Sequence, residues 1–287
     1  MKLGFSAWAM REWPVDRQIA IVRDAGYAGI CLVSGAEFPL DAARAQTEDA
    51  ARVREAARQA DLEITAVAGH ADLLGPDPQA SLARVKATLD FAAALAEPGS
   101  APPPVICMGF GTPDTYLSDR DKLVERFGEL ATHAARHGGV IALEPHVGQA
   151  MDLPEKIVWL MQAVNSPHFR LNFDNSHFEV MGRDLDEYVP VLAPYAVHTD
   201  LKDQRGRAPD HEFLVPGEGD FSYARYLRAM QRVGYQGFVT VEISVMVQRR
   251  ADYDPAEVAR RSFRTLTDAA REAGVGLEHH GARVVIS

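Results

Sequence analysis

The sequence predicts one α/β domain of the (β/α)8 barrel class. Eight short apolar or β-branched runs alternate with longer stretches of helical periodicity, and no hairpin signal joins two runs. Such runs pair in parallel through right-handed crossovers, and eight of them close into a barrel. The length, 287 residues, suits one barrel of this class, which typically has about 250 residues. The first run leads into SAWAMREW, which lacks the glycine-rich phosphate turn of a doubly wound open sheet.

The elements follow in order. KLGFSA (2–7) precedes a helix over 15–25, opened by Pro14 and stopped by Gly26. GICLVS (29–34) precedes 42–60, whose Ala, Arg and Glu content reads as a solvated outer face. EITAVAG (63–69) and VICMGFG (105–111) lead to helices over 79–96 and 119–137. VIALEPH (140–146) leads to 154–164, where Pro154 suits a first helical turn. FRLNFDNSHF (169–178), AVHTDLKD (196–203) and FVTVEIS (238–244) precede helices over 184–192, 222–233 and 254–273, the last capped by Asp254. EPGSAPPP (97–104) reads as a rigid spacer on the bottom face, and residues 275–287 form a tail to the single domain 1–287. His133, His137, His168, His211, His279 and His280 read as solvent-facing, having no partner pattern.

Composition narrows the class. Hydrophobic residues at 47% and charged residues at 24% are ordinary for a globular chain and exclude global disorder. A net charge of −10 argues against general nucleic-acid binding. No apolar run approaches the roughly 20 residues of a membrane span, and the mixed start does not read as a secretory signal. Cys31 and Cys107 each lie in an apolar run, which reads as buried free thiols in a reducing cytoplasm.

In such a barrel, chemistry sits at the C-terminal ends of the strands. The fifth run ends in Glu144, Pro145 and His146, and the sixth in Asp174 with His177 three residues on. The seventh carries His198, Asp200 and Lys202 on one face by strand alternation, and the eighth ends in Glu242. Carboxylates embedded in apolar strands are costly unless paired, protonated or metal-bound, and converging ones raise each other's pKa. A dication removes the conflict. A mostly oxygen ligand set suits Mg²⁺ or Mn²⁺, while an imidazole ligand shifts the preference toward Mn²⁺, Co²⁺ or Zn²⁺. The alternative is a buried ion-pair network in which Lys202 is the partner of Glu144 and Glu242. Two carboxylates flanking a carbon next to a carbonyl can remove and return its proton. Trp8, Phe38 and Phe110, after the first, second and fourth runs, could pack on the apolar face of a sugar ring.

The blocks LEPH (143–146), FDNSH (173–177), HTDLKD (198–203), VPGEGDF (215–221) and VEIS (241–244), in this order, resemble the sugar phosphate isomerase/epimerase group of the xylose isomerase-like TIM barrels. The resemblance implies one divalent metal held by Glu144, Asp174, the residue at position 200, and Glu242. The family usually has histidine at that third position and this chain has Asp200, with His198 as the alternative ligand. Lys202 or Arg205 would balance the acidic set. The resemblance assigns proton transfer to Glu144 and Glu242, and substrate contacts to His177 and Arg205. His70, His146 and Lys202 are further lining candidates, and Glu218 lies in a loop that would close over the site.

The expected function is a metal-dependent isomerase or epimerase of a ketose or related polyol, working through an enediolate. The alternative is a lyase or dehydratase for a keto-sugar, keto-inositol or cyclic keto-acid on the same apparatus. A DNA-repair endonuclease of this barrel type needs a histidine after the fourth strand, where this chain has MGFG. A non-catalytic binding subunit is the remaining reading. No nucleic acid or membrane partner is expected, and any homo-oligomer would use helices and loops, since a closed barrel has no free sheet edge.

Overall fold

A computed structural model of the chain describes residues 1–280 and the backbone of residues 282 and 283. The remaining tail positions, 281 and 284–287, lie outside the described residues. Seven parallel strands run in sequence: β1 (Lys2–Ser6), β2 (Gly29–Val33), β3 (Glu63–Ala68), β4 (Val105–Cys107), β5 (Ile141–Leu143), β6 (Phe169–Asp174) and β7 (Ala196–Leu201). A hairpin, β8 (Asp203–Arg207) and β9 (Asp210–Leu214), forms its own two-stranded sheet. The eighth stave, β10 (Phe238–Val241), pairs with both β7 and β1 and closes the barrel. A short β11 (Glu278–His279) adds to the start of β1 and turns back as β12 (Ala282–Arg283).

The outer ring is α1 (Val15–Ala25), α2 (Thr47–Gln59), α3 (Pro78–Leu95), α4 (Tyr116–Ala135), α5 (Pro154–Val164), α7 (Leu185–Leu192), α8 (Tyr223–Arg232) and α10 (Pro255–Ala273), with short α6 (Ser176–Val180) and α9 (Val245–Gln248) at the mouth. The staves are apolar because helices cover one face and packed side chains the other. Phe127 of α4 and Phe169 of β6 stack with centroids 4.8 Å apart, and Tyr27 donates to the Ala259 carbonyl of α10 at 3.0 Å.

Register determines what meets inside. Asn172 lies beside His198, Asp174 beside Asp200, and Asp200 beside Thr240. These positions alternate with Leu171, Phe173, Thr199 and Leu201, so the polar set shares the interior face.

Several expected boundaries shift for local reasons. The second helix begins at Thr47, not 42, because Gln46 and Asp49 form a capping box. The sixth run stops at Asp174, whose Oδ1 accepts from the Ser176 amide at 2.9 Å and turns the chain into α6. The hairpin β8–β9 was not expected at all. His133 is not solvent-facing: it is half-buried and its Nε2 meets Asp90 Oδ1 at 2.7 Å, tying α4 to α3. His168 is also half-buried, with Nδ1 donating to the Gly139 carbonyl at 2.7 Å, and His211 packs edge-on against Phe213. His279 is half-buried too, edge-on to Phe263. Cys31 and Cys107 are free and buried. Among the described residues no helix is long and apolar enough to cross a membrane.

Phe127 is fully buried. Phe127→Ala is expected to cost about 3–5 kcal/mol by urea unfolding. A loss under about 1 kcal/mol would mean that the ring stack is not part of the core.

Candidate active site

The C-terminal rim gathers four carboxylates. Glu144 follows β5, Asp174 ends β6, Asp200 lies in β7 and Glu242 follows β10; all are buried. Oxygens from Glu144, Asp200 and Glu242 lie within 4.8 Å of one another, and ligand atoms of Glu144, Asp174 and His177 form a second set of the same span.

One cation of the chain stands among them. The Lys202 ammonium contacts Asp174 Oδ2 and Glu242 Oε2. Burial opposes its charge, but the four surrounding carboxylates outweigh burial and raise its pKa well above the ordinary lysine value. The same contact decides Asp174. Burial pushes its pKa up, yet Lys202 and His177 outweigh that and hold it far below the usual range. Glu144 and Asp200 are left short of positive charge. Burial, followed by repulsion from Glu242, pushes both well above the carboxylate range.

This arrangement contains part of the ion-pair alternative, since Lys202 does pair with Glu242. One ammonium cannot compensate four carboxylates, however. Asp200 Oδ1 is buried with no hydrogen-bond partner, while its Oδ2 accepts from Asn172 Nδ2 at 2.7 Å. An orphaned acceptor beside converging carboxylates, in an all-oxygen donor set, fits a divalent cation of the Mg²⁺ or Mn²⁺ type. Glu144, Asp200 and Glu242 form one set that could hold such an ion and Glu144, Asp174 and His177 the other, so Glu144 is common to both. His198 is placed differently. Its Nδ1 meets Asn172 Oδ1 at 2.8 Å and its Nε2 meets Thr65 and Thr240 hydroxyls at 3.1 and 2.9 Å, so both nitrogens are already engaged below the rim.

Three histidines line the rim. His70 Nε2 is 3.6 Å from Glu144 Oε2, and its Nδ1 is buried without a partner. His177 lies 3.3 Å from Asp174 and stacks on His146 with centroids 3.8 Å apart. His146 Nδ1 donates to the Val147 carbonyl, which leaves Nε2 as its acceptor. Neither ring nitrogen of His177 has a hydrogen bond, so the ring can address a bound hydroxyl. Burial lowers the pKa of all three, against the pull of Asp174 in the case of His177.

Trp8 stands edge-on to His70 and to Phe38, with the Arg11 guanidinium 4.6 Å from its ring. The remaining candidates lie on the loops around the rim. Phe110 occupies a left-handed turn after β4, at φ 59°. Arg205 is half-exposed on the hairpin, where it meets the Glu218 carbonyl and Asp220. Glu218 is engaged by Arg250 at 2.7 Å and Arg261 at 2.9 Å; burial opposes its charge, but these arginines keep its pKa low.

Sequence reasoning missed Phe213 and the polar layer beneath the rim. Phe213 reaches back from β9 to pack edge-on against His177 at 5.2 Å, within 5.9 Å of the Lys202 ammonium. The Gly217-Glu218-Gly219 turn also has a role that its motif did not reveal. Its amides at Gly217 and Gly219 donate to Asp203 Oδ2 at 2.7 and 3.0 Å, and a Cβ at Gly219 would lie 2.5 Å from the Gln204 carbonyl. The neighbouring pair Lys202-Asp203 thus serves the carboxylates with one residue and the closing loop with the other.

The fold and this rim define an α/β barrel of a known enzyme class. Residues 19–279 match the family described as xylose isomerase-like TIM barrel, and the chain belongs to that family. Among curated proteins, the inosose dehydratase of Glaesserella parasuis serovar 5 (strain SH0165) is 30% identical over 156 residues, 48% of this chain and 49% of that protein. The chain matches about half the length of this relative. Among solved structures, the 3-keto-D-glucoside 4-epimerase YcjR from E. coli has a TM-score of 0.73 at 18% identity, covering 93% of this chain and 99% of its own. A structure titled IOLI protein with a binding zinc atom has a TM-score of 0.72 at 18% identity, covering 95% and 98%. These structural likenesses show the fold.

The burial of the rim gives a test. The pKa values of His70, His146 and His198 are lowered by burial to about 4, about 3 and about 3. The folded chain refuses protons that the unfolded chain accepts near 6.5, so their contribution to stability is complete above that pH and is lost as pH falls from 6.5 toward 4. Ring ¹⁵N shifts should report all three as neutral at about pH 5.5. Titration of any of them near 6.5 would show that it is solvated.

Proposed function

We propose that the barrel mouth catalyses proton transfer next to the carbonyl of a ketose or related keto-polyol, as an isomerase or epimerase. The observation that carries this reading is the unequal pair of Glu144 and Glu242 across one buried rim. Glu144 is held toward its protonated form by burial and repulsion, while Glu242 is paired with the Lys202 ammonium. We read Glu144 as the acid and Glu242 as the base, on the staves β5 and β10 that β6 and β7 separate.

A divalent cation held by the four carboxylates would polarise the substrate carbonyl and stabilise the negative charge of an enediolate. In this reading Glu242 takes the proton from the carbon beside the carbonyl, and Glu144 delivers one from its own side. His177 and His146 offer ring nitrogens to substrate hydroxyls. Lys202 keeps Asp174 ionised and limits the net charge of the rim. Phe213 and Trp8 supply apolar surface for the sugar backbone and shield the site from water.

A second reading, dehydration of a keto-inositol or similar ring, has its own support. The sequence relatives are named inosose dehydratases, at 30% identity over about half of the chain in the first case. The two reactions share the proton abstraction and differ in whether a β-hydroxyl then leaves, with the protonated acid assisting its departure as water.

A panel of ketoses and keto-inositols, incubated with Mn²⁺-loaded protein in D₂O, separates the outcomes. Deuterium at the carbon beside the carbonyl with the substrate formula retained supports the isomerase or epimerase; loss of water supports the lyase. No exchange with any member rejects both. Glu144→Gln and Glu242→Gln are each expected to lower kcat by about 10²–10⁴-fold with the fold intact by circular dichroism. A variant that keeps full activity removes its residue from the acid–base role.

A further inference from the structure

We propose that Asn172 and His198 form a positioning relay that fixes the orientation of Asp200 and presents one of its oxygens to a cation at the barrel mouth. The proposal rests on the metal-dependent reading of the rim.

The relay is assembled from four staves. Thr65 comes from β3, Asn172 from β6, His198 and Asp200 from β7, and Thr240 from β10, the neighbour of β7 in the closed sheet. All five side chains are buried. Its hydrogen bonds run in one direction. The Asp200 carboxylate requires a donor, so the Asn172 amide turns its Nδ2 toward Asp200 Oδ2, at 2.7 Å. The Asn172 Oδ1 is then left facing His198 Nδ1 at 2.8 Å, and that nitrogen must carry the ring proton. His198 Nε2 is consequently the acceptor, and the hydroxyls of Thr240 and Thr65 reach it at 2.9 and 3.1 Å. The carboxylate sets the amide, the amide sets the tautomer, and the threonine hydroxyls donate to the ring nitrogen left without a proton. At the rim end, Asp200 Oδ1 is the polar atom without a partner.

This arrangement answers a problem specific to an aspartate at position 200. An imidazole ligand presents one lone pair along one direction. A carboxylate presents two oxygens on a short stem, and can rotate or bind through both. Engaging Oδ2 from below leaves Oδ1 as the defined ligand. Hydrogen bonds of this kind commonly govern metal affinity even though the donor never touches the ion. Asn172 and His198 are therefore positioning residues and not catalytic ones.

The test uses full-length Asn172→Leu, His198→Leu and His198→Asn. In His198→Asn, the new amide N–H can replace the ring Nδ1–H as donor to Asn172, whereas His198→Leu removes it. Calorimetric titration of the metal-free protein with MnCl₂ is expected to show about 10- to 100-fold weaker binding for Asn172→Leu and His198→Leu, with His198→Asn within about threefold of wild type. Melting temperatures are recorded alongside. If the leucine variants melt lower but bind Mn²⁺ as wild type does, the residues are merely structural and the relay is overturned. If wild type itself takes up no Mn²⁺, the metal reading fails and carries the ligand role of Asp200 with it. The ¹⁵N spectrum of histidine-labelled protein gives a readout that needs no metal: His198 is expected as the Nδ1–H tautomer, and an Nε2–H tautomer overturns the relay.

Discussion

The rim depends on one constraint: four buried carboxylates share a single lysine. Lys202 stands between Asp174 and Glu242, and Glu144 and Asp200, without such a partner, are pushed toward their neutral forms. Among the described residues, no second lysine and no arginine pairs with these carboxylates. Nearby arginines are turned elsewhere, Arg170 to the Ser166 and Phe169 carbonyls, Arg205 to the loop of Glu218 and Arg250 to the Glu218 carboxylate. A concentration of like charge in a place of low polarity costs free energy in the resting fold, and sites that carry such a cost are commonly functional. The deficit is what makes a dication fit here, and what pushes Glu144 toward its protonated form.

The cost is borne by the parts of the barrel that cannot easily move. The staves are apolar and closed on themselves, and stacks such as Phe127 on Phe169 hold them from outside. Inside, the threonine, histidine and asparagine layer supplies directed hydrogen bonds immediately beneath the acidic rim. Such buried polar groups need full partnering, and a layer in which they are partnered is correspondingly rigid.

Much of this was legible before any coordinates. Glu144, Asp174, Asp200 and Glu242 could be brought to one rim by the rule that barrel strands end at the site, together with the alternation of faces. Position 172 could have been read too, since it lies two residues before Asp174 and so shares its face; an asparagine on its own simply does not announce a partner. His198 was read as an alternative ligand because alternation fixes a face and not a depth. The hairpin was invisible because Asp203–Arg207 and Asp210–Leu214 are mostly charged and polar, without the apolar alternation that marks a half-buried strand. For the same reason the final contacts of Arg205 and Glu218 could not be foreseen, as they depend on how that excursion folds back.

The hairpin contributes no rung to the closed sheet, yet its Phe213 reaches the pocket wall. It is anchored at its root by a single carboxylate, Asp203, which also binds the next turn. Lengthening or exchanging this appendage therefore changes which molecules the cavity admits while the staves, their register and the acidic ring stay as they are. Scaffold and selectivity can diverge independently along one chain, with the segment between residues 205 and 213 carrying the second of them.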